Sequence, residues 1–133
     1  MAVGFSTVNT VNAWLDCLRG TGATTFTGVT TLYVQLHKGD PGPAGTNNVS
    51  STTTRQAVNF AAASGGSQSI TGTPQWTNWA GTNGEVVSHI AVFGASSGGT
   101  FYYSGTLSTP KTVNTGDTLT LSALTVSITP LAA

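Results

Sequence analysis

The chain is expected to fold as a mainly β protein, an antiparallel β-sandwich or jelly-roll-like single domain with one short N-terminal helix, and three observations lead there. Beyond about residue 30 the apolar period falls to two; Thr, Val, Tyr, Phe and Ile dominate that stretch; and Gly- and Pro-bearing turns cut it into seven or eight short runs. The length of 133 residues and mass of 13.4 kDa fit one domain, 1–133, with no room for a second independent core.

The helix is placed over about residues 7–19. Val8, Val11, Leu15 and Leu18 recur there at spacings of three and four, with Trp14 flanking the stripe. Ser6 or Thr7 supplies a cap at its start, Arg19 complements the C-terminal end of the dipole, and Gly20 suits the left-handed position that follows.

The strands begin at Thr31 to His37, where Leu32, Val34 and Leu36 face one way and Tyr33, Gln35 and His37 the other, as in a half-buried strand; GDPGPAG stops it. Val58 and Phe60 mark a second strand, and short runs around Ile70 and Trp76 follow, parted by Gly72 and Pro74. Asn83-Gly84 is a tight-turn dipeptide that launches Glu85 to Phe93, whose apolar character after His89 predicts a strand covered on both faces near the centre of the sheet. The loop GASSGG returns the chain into Thr100 to Leu107 as a hairpin, with Phe101 and Tyr103 on one face and Tyr102 on the other. Leu119 and Leu121 differ in parity from Leu124, Val126 and Ile128, so a bulge or turn is needed at Ser122-Ala123.

Composition narrows function. Only 6% of residues are charged, the formal net charge is zero, and 25 Thr and 13 Ser give the surface its polarity. No basic stripe is available for phosphates or anionic lipid, which argues against nucleic-acid and membrane partners, and no apolar run approaches a membrane span. MAVGFSTVNT lacks the charged and apolar regions of a signal peptide, and the single Cys17 cannot form an intrachain disulfide. A β-domain so poor in charge has few gatekeepers on its strand edges, which suits a multi-copy assembly in which neighbours cover them.

Chemistry is sparse. Gly94-Ala95-Ser96-Ser97-Gly98 matches the G-x-S-x-G nucleophile elbow, but a strand rather than a helix follows, so a hairpin loop is expected. Asp16, Asp40, Glu85 and Asp117 form no visible acid/base pair, and His37 and His89 lack metal-ligand spacing; no catalytic, cofactor or metal residues are assigned. His37, at a strand end, is expected to stabilise the turn, and His89 to be a satisfied core or interface histidine. Trp76, Trp79, Tyr102 and Tyr103 offer an alternative, since exposed aromatics on a β-sandwich hold sugar rings; Trp76, Trp79 and Tyr102 are the candidate glycan contacts.

From Leu36 to Asn47 the chain reads LHKGDPGPAGTN, which resembles a family of small virion proteins from tailed phages of actinobacteria that read LHTGDPGAAGTAN. The likeness continues through Thr54 to Phe60, Ser88 to Ile90, Ser97 to Phe101 and Val113 to Leu119, and takes in the opening MAVGFST. The resemblance implies a non-enzymatic virion component of head-decoration, minor tail or tail-fibre type. Because the domain is small and lacks repeats, coiled coil or a collagen-like stalk, the expected role is capsid decoration on the outer surface of the head, after synthesis in the host cytoplasm. Its partners would be the major capsid protein and copies of itself, a trimer among the options. A minor tail or tail-fibre-like protein, with host glycans as ligand, is the alternative. Expected contact loops are Asp40, Pro41, Gly42 and Pro43, running on to Gly45, and Ser96, Ser97, Gly98 and Gly99, together with the N-terminal segment.

Overall fold

The computed structural model describes residues 3–19 and 27–128. It is mainly β, with one curled antiparallel sheet and a short N-terminal helix. A π-helical turn, Thr7–Val11, leads into α1 (Asn12–Leu18); then come β1 (Leu32–His37), β2 (Gln56–Phe60), β3 (Ser67–Thr71), β4 (Gln75–Trp76), β5 (Glu85–Phe93), β6 (Phe101–Val113), β7 (Leu119–Thr120) and β8 (Thr125–Ser127). Six strands form the main sheet in the order β6-β5-β1-β2-β3-β8, and β4 pairs with β7 as a separate two-stranded ribbon.

The ribbon explains the core. Trp76 of β4 and the following Trp79 pack with Val34, Leu36, Ile90 and Val92 of the main sheet in one cluster, so the ribbon is the second layer of a sandwich. Both indoles keep their N–H groups satisfied, Trp76 donating to the Thr54 carbonyl at 2.8 Å and Trp79 to that of Thr82 at 3.2 Å. The parity change near Ser122-Ala123 is the place where the chain passes from the ribbon to the main sheet, β7 pairing with β4 and β8 with β3.

β5 lies between β1 and β6, its residues Ile90 to Phe93 are buried, and Gly84 launches it at φ +75°. β1 differs from the half-buried expectation. Its second face, Gln35 and His37, is buried as well, because the segment from Lys38 to Ser50 folds back over it.

The β5–β6 hairpin also departs from expectation. Val92 pairs with Tyr103 but Phe93 pairs with Phe101, so Tyr102 is the extra residue of a β-bulge. The bulge puts Phe101 and Tyr103 on opposite faces: Phe101 joins Ala91 and Phe93, whereas Tyr103 joins the Trp76 core.

The helix differs most. Val8, Leu15 and Leu18 are 74%, 62% and 83% exposed, so the predicted stripe does not face the sheet. Ser6 caps the first turn, accepting from the Asn9 N–H. The helical segment docks through polar groups instead: Thr10 Oγ1 donates to the Tyr102 carbonyl at 2.8 Å and Asn9 Nδ2 to the Phe101 carbonyl at 3.0 Å. Those two carbonyls lie beside the bulge, where the β6 ladder is interrupted and backbone acceptors are in reach. Thr10 and Trp14, one turn apart, thus form the inward face. The expected Gly20 cap lies outside the described residues.

Candidate binding groove

Between α1 and the β2–β3 end of the sheet runs a groove of about 560 Å³. Its aromatic wall comprises Phe5, Trp14, Phe60, Tyr102 and Tyr103. Phe5 holds the wall together, with its ring centroid 5.1 Å from Trp14 and 5.6 Å from Tyr103 in an edge contact. Val58 and Leu32 form apolar floor from the sheet, and Val126 and Gln68 face each other across the β3–β8 pair at the rim. Thr10, Thr30 and Ser67 add hydroxyls, and no charged side chain lines the groove among the described residues. The Tyr103 hydroxyl is buried without a hydrogen-bond partner, and burial pushes its ionisation well above the ordinary tyrosine value.

Of the three aromatics predicted to touch glycan, only Tyr102 belongs to this groove. Trp76 and Trp79 are 3% and 1% exposed, sealed between the ribbon and the sheet, which corrects their assignment as glycan contacts. The two-residue strand β4 carries too little periodicity to show which way its Trp points. Nothing local in the sequence groups Phe5, Trp14, Phe60 and Gln68, because the groove joins residues from Phe5 to Ile128 that share no motif.

The opposite face of the sheet carries the Ala91, Phe93 and Phe101 cluster and the hydrogen-bonded turn that follows β1. His37 is fully buried, and its Nδ1 lies 2.7 Å from the Asn47 carbonyl, so that nitrogen carries the proton and donates. His37 therefore anchors the turn, as expected. Burial, chiefly, lowers its pKa below 6.5, with the charges of His89 and Arg55 adding to the shift and the Asn47 bond opposing it. His89 pairs with Ser88 Oγ at 2.8 Å. Inside the turn Asp40 Oδ1 accepts from the Gly42 N–H at 2.8 Å, and Asn47 donates its N–H to the Pro41 carbonyl at 2.9 Å.

These bonds alter the expected contact loop. Pro41 and Gly42 are buried and Asp40 is half-buried, so of the four expected contacts from Asp40 to Pro43 only Pro43 is exposed, with Ala44 beside it. The loop meets the Phe93–Phe101 cluster at Gly45, whose backbone lies against the Phe101 ring. Ser96, Ser97, Gly98 and Gly99 are all exposed on a hairpin loop, and Ser96 has no helix behind it. At the edge of the core, Glu85 is buried; Ser50 Oγ and the Ser51 N–H both donate to its carboxylate. Burial pushes its pKa up, but the hydrogen bonds from Ser50 and Ser51, with the charge of Lys38, outweigh burial and hold it below the usual 4.5.

Fold and groove together define a small, nearly uncharged β-sandwich with an aromatic recess beside α1 and, among the described residues, no cluster of metal-ligating side chains. The chain belongs to the family described as podophage GP4 fiber I protein gp80, which it matches over residues 4–129. No curated protein matches it. The family establishes a phage structural protein of fibre or tail-like type.

Proposed function

We propose that this chain is a non-enzymatic component of a phage tail or its fibres, and that it works by adhesion. The single observation that carries this reading is the match to a fibre family over nearly the whole chain. It favours the tail or its fibres over the expected capsid-decoration role. Neutral Ser, Thr and Gly surfaces, including the exposed loop Ser96 to Gly99, would contact neighbouring virion proteins or further copies of the chain through hydrogen bonds and close backbone approach rather than ion pairs. Such contacts tolerate high salt.

Immunogold electron microscopy of intact particles, with antibody against this chain, tests the placement. Gold confined to tails or fibres is the expected result. Gold distributed over heads would overturn it in favour of capsid decoration.

A further inference from the structure

We propose that the groove beneath α1 binds a neutral saccharide. A sugar ring presents an apolar C–H face and a rim of hydroxyls, and the groove offers the complement of both. Trp14, Phe60 and Tyr102 supply ring faces and edges, while Gln68, Thr30 and Ser67 supply donors and acceptors. Its volume of about 560 Å³ lies within the range of small-ligand sites and has room for one or two sugar rings.

The polar inventory decides between ligand classes. The Gln68 side-chain amide makes no hydrogen bond to another described residue, yet it shares a face with Val126 and Ile70 and opens onto the groove. It can therefore give and accept a hydrogen bond with a hydroxyl pair. A purely apolar occupant would cover Gln68 and leave it unpaired, which is costly. An anionic or cationic occupant would meet no counter-charge, since no charged side chain among the described residues lines the groove. A neutral polyhydroxylated ligand avoids both penalties. The inference stands apart from the chain's position in the particle, because it is read from the isolated domain.

The test is isothermal calorimetry of the full chain against neutral hexoses, N-acetylhexosamines and their short oligomers, with sialic acid and an alkyl glycol as comparisons. Tryptophan fluorescence gives a second readout: Trp76 and Trp79 are sealed in the core, so a ligand-dependent change reports Trp14. Saturable binding of a neutral sugar, little affected by salt, is expected. Trp14→Ala should weaken it about tenfold. Gln68→Ala, at a half-exposed rim position, should weaken it several-fold while keeping the parent's thermal unfolding. Absence of binding by every neutral sugar would overturn the proposal, as would a preference for sialic acid or the alkyl glycol, or binding that neither substitution changes. Immunogold placement on heads would leave this result untouched, and failure to bind sugar would leave the fibre reading untouched.

Discussion

The guanidinium of Arg55 sits 3.6 Å from the centroid of the Phe93 ring. From that position it donates through Nε to Gln35 Oε1 at 3.1 Å and through Nη1 to the Ala95 and Gly98 carbonyls at 2.9 and 2.6 Å. One planar cation thus stacks on the sheet and gathers the hairpin loop, a geometry that a lysine ammonium cannot reproduce. Arg55→Lys is expected to cost about 1–2 kcal/mol in urea unfolding and to speed amide exchange from Ser96 to Gly99. Unchanged exchange in that loop would show that Arg55 does not hold it.

That clamp was not legible in the sequence, and the reason is general to this chain. Local chemistry was readable: Asn83-Gly84 located the start of β5, the alternation from Leu32 to Leu36 located β1, and GDPG stopped β1 at His37. Whatever depends on a single inserted residue or on distant segments was not. The bulge at Tyr102 reverses the facing of Phe101 relative to Tyr103, yet it leaves no mark in residue type. The apolar stripe of the helix is a genuine pattern but not its docking face, because hydrogen bonds from Asn9 and Thr10 to β6 fix the helix's rotation. The groove shares this origin, with Trp14 and Gln68 brought together only by the fold.

Gly45 is required where the Lys38 to Ser50 segment meets the sheet. It has φ +70°, and a Cβ there would stand 2.5 Å from Phe101 Cδ2. Two costs are combined, backbone strain and a clash with a buried ring. Gly45→Ala is expected to destabilise the fold by about 2–3 kcal/mol in chemical denaturation. In the Phe101→Leu background the penalty of Gly45→Ala should shrink, because the clash is relieved and only the positive φ remains. An equal penalty in both backgrounds would refute the close contact.

His37 and Glu85 both predict that stability falls in acid. His37 is a base whose folded pKa is lowered, so the unfolded chain takes up the proton first. Stability should therefore begin to fall as pH drops through 6.5 and go on falling until the lowered folded value is passed. His37→Gln should flatten this limb of a stability-versus-pH curve. A curve already flat below pH 6.5 in the parent protein would show that the buried imidazole is protonated without cost.

Glu85 acts lower. Its folded pKa is depressed, so its contribution is fully present above 4.5 and is lost as pH falls from there through the folded value. Glu85→Gln should lower stability at neutral pH, where Ser50 and Ser51 lose a charged acceptor, and should reduce the slope of the curve below pH 4.5. An acid limb of unchanged slope would assign that sensitivity to other carboxylates.

Tyr103 yields a prediction of the opposite sign. Its ring fills the core against Phe5, but its hydroxyl is buried with no hydrogen-bond partner. A buried hydroxyl in that condition has given up its water without compensation, whereas the ring alone keeps the packing. Tyr103→Phe should therefore leave the free protein as stable as the parent or more stable by about 1 kcal/mol, although most core substitutions destabilise. Thermal and urea unfolding measure this directly. A loss of more than about 1 kcal/mol would mean that the hydroxyl is satisfied in solution, since that is the net worth of an ordinary hydrogen bond. Repeating the measurement with a saturating neutral sugar separates the two states: if the bound sugar engages the hydroxyl, the parent gains more stability from the ligand than Tyr103→Phe does.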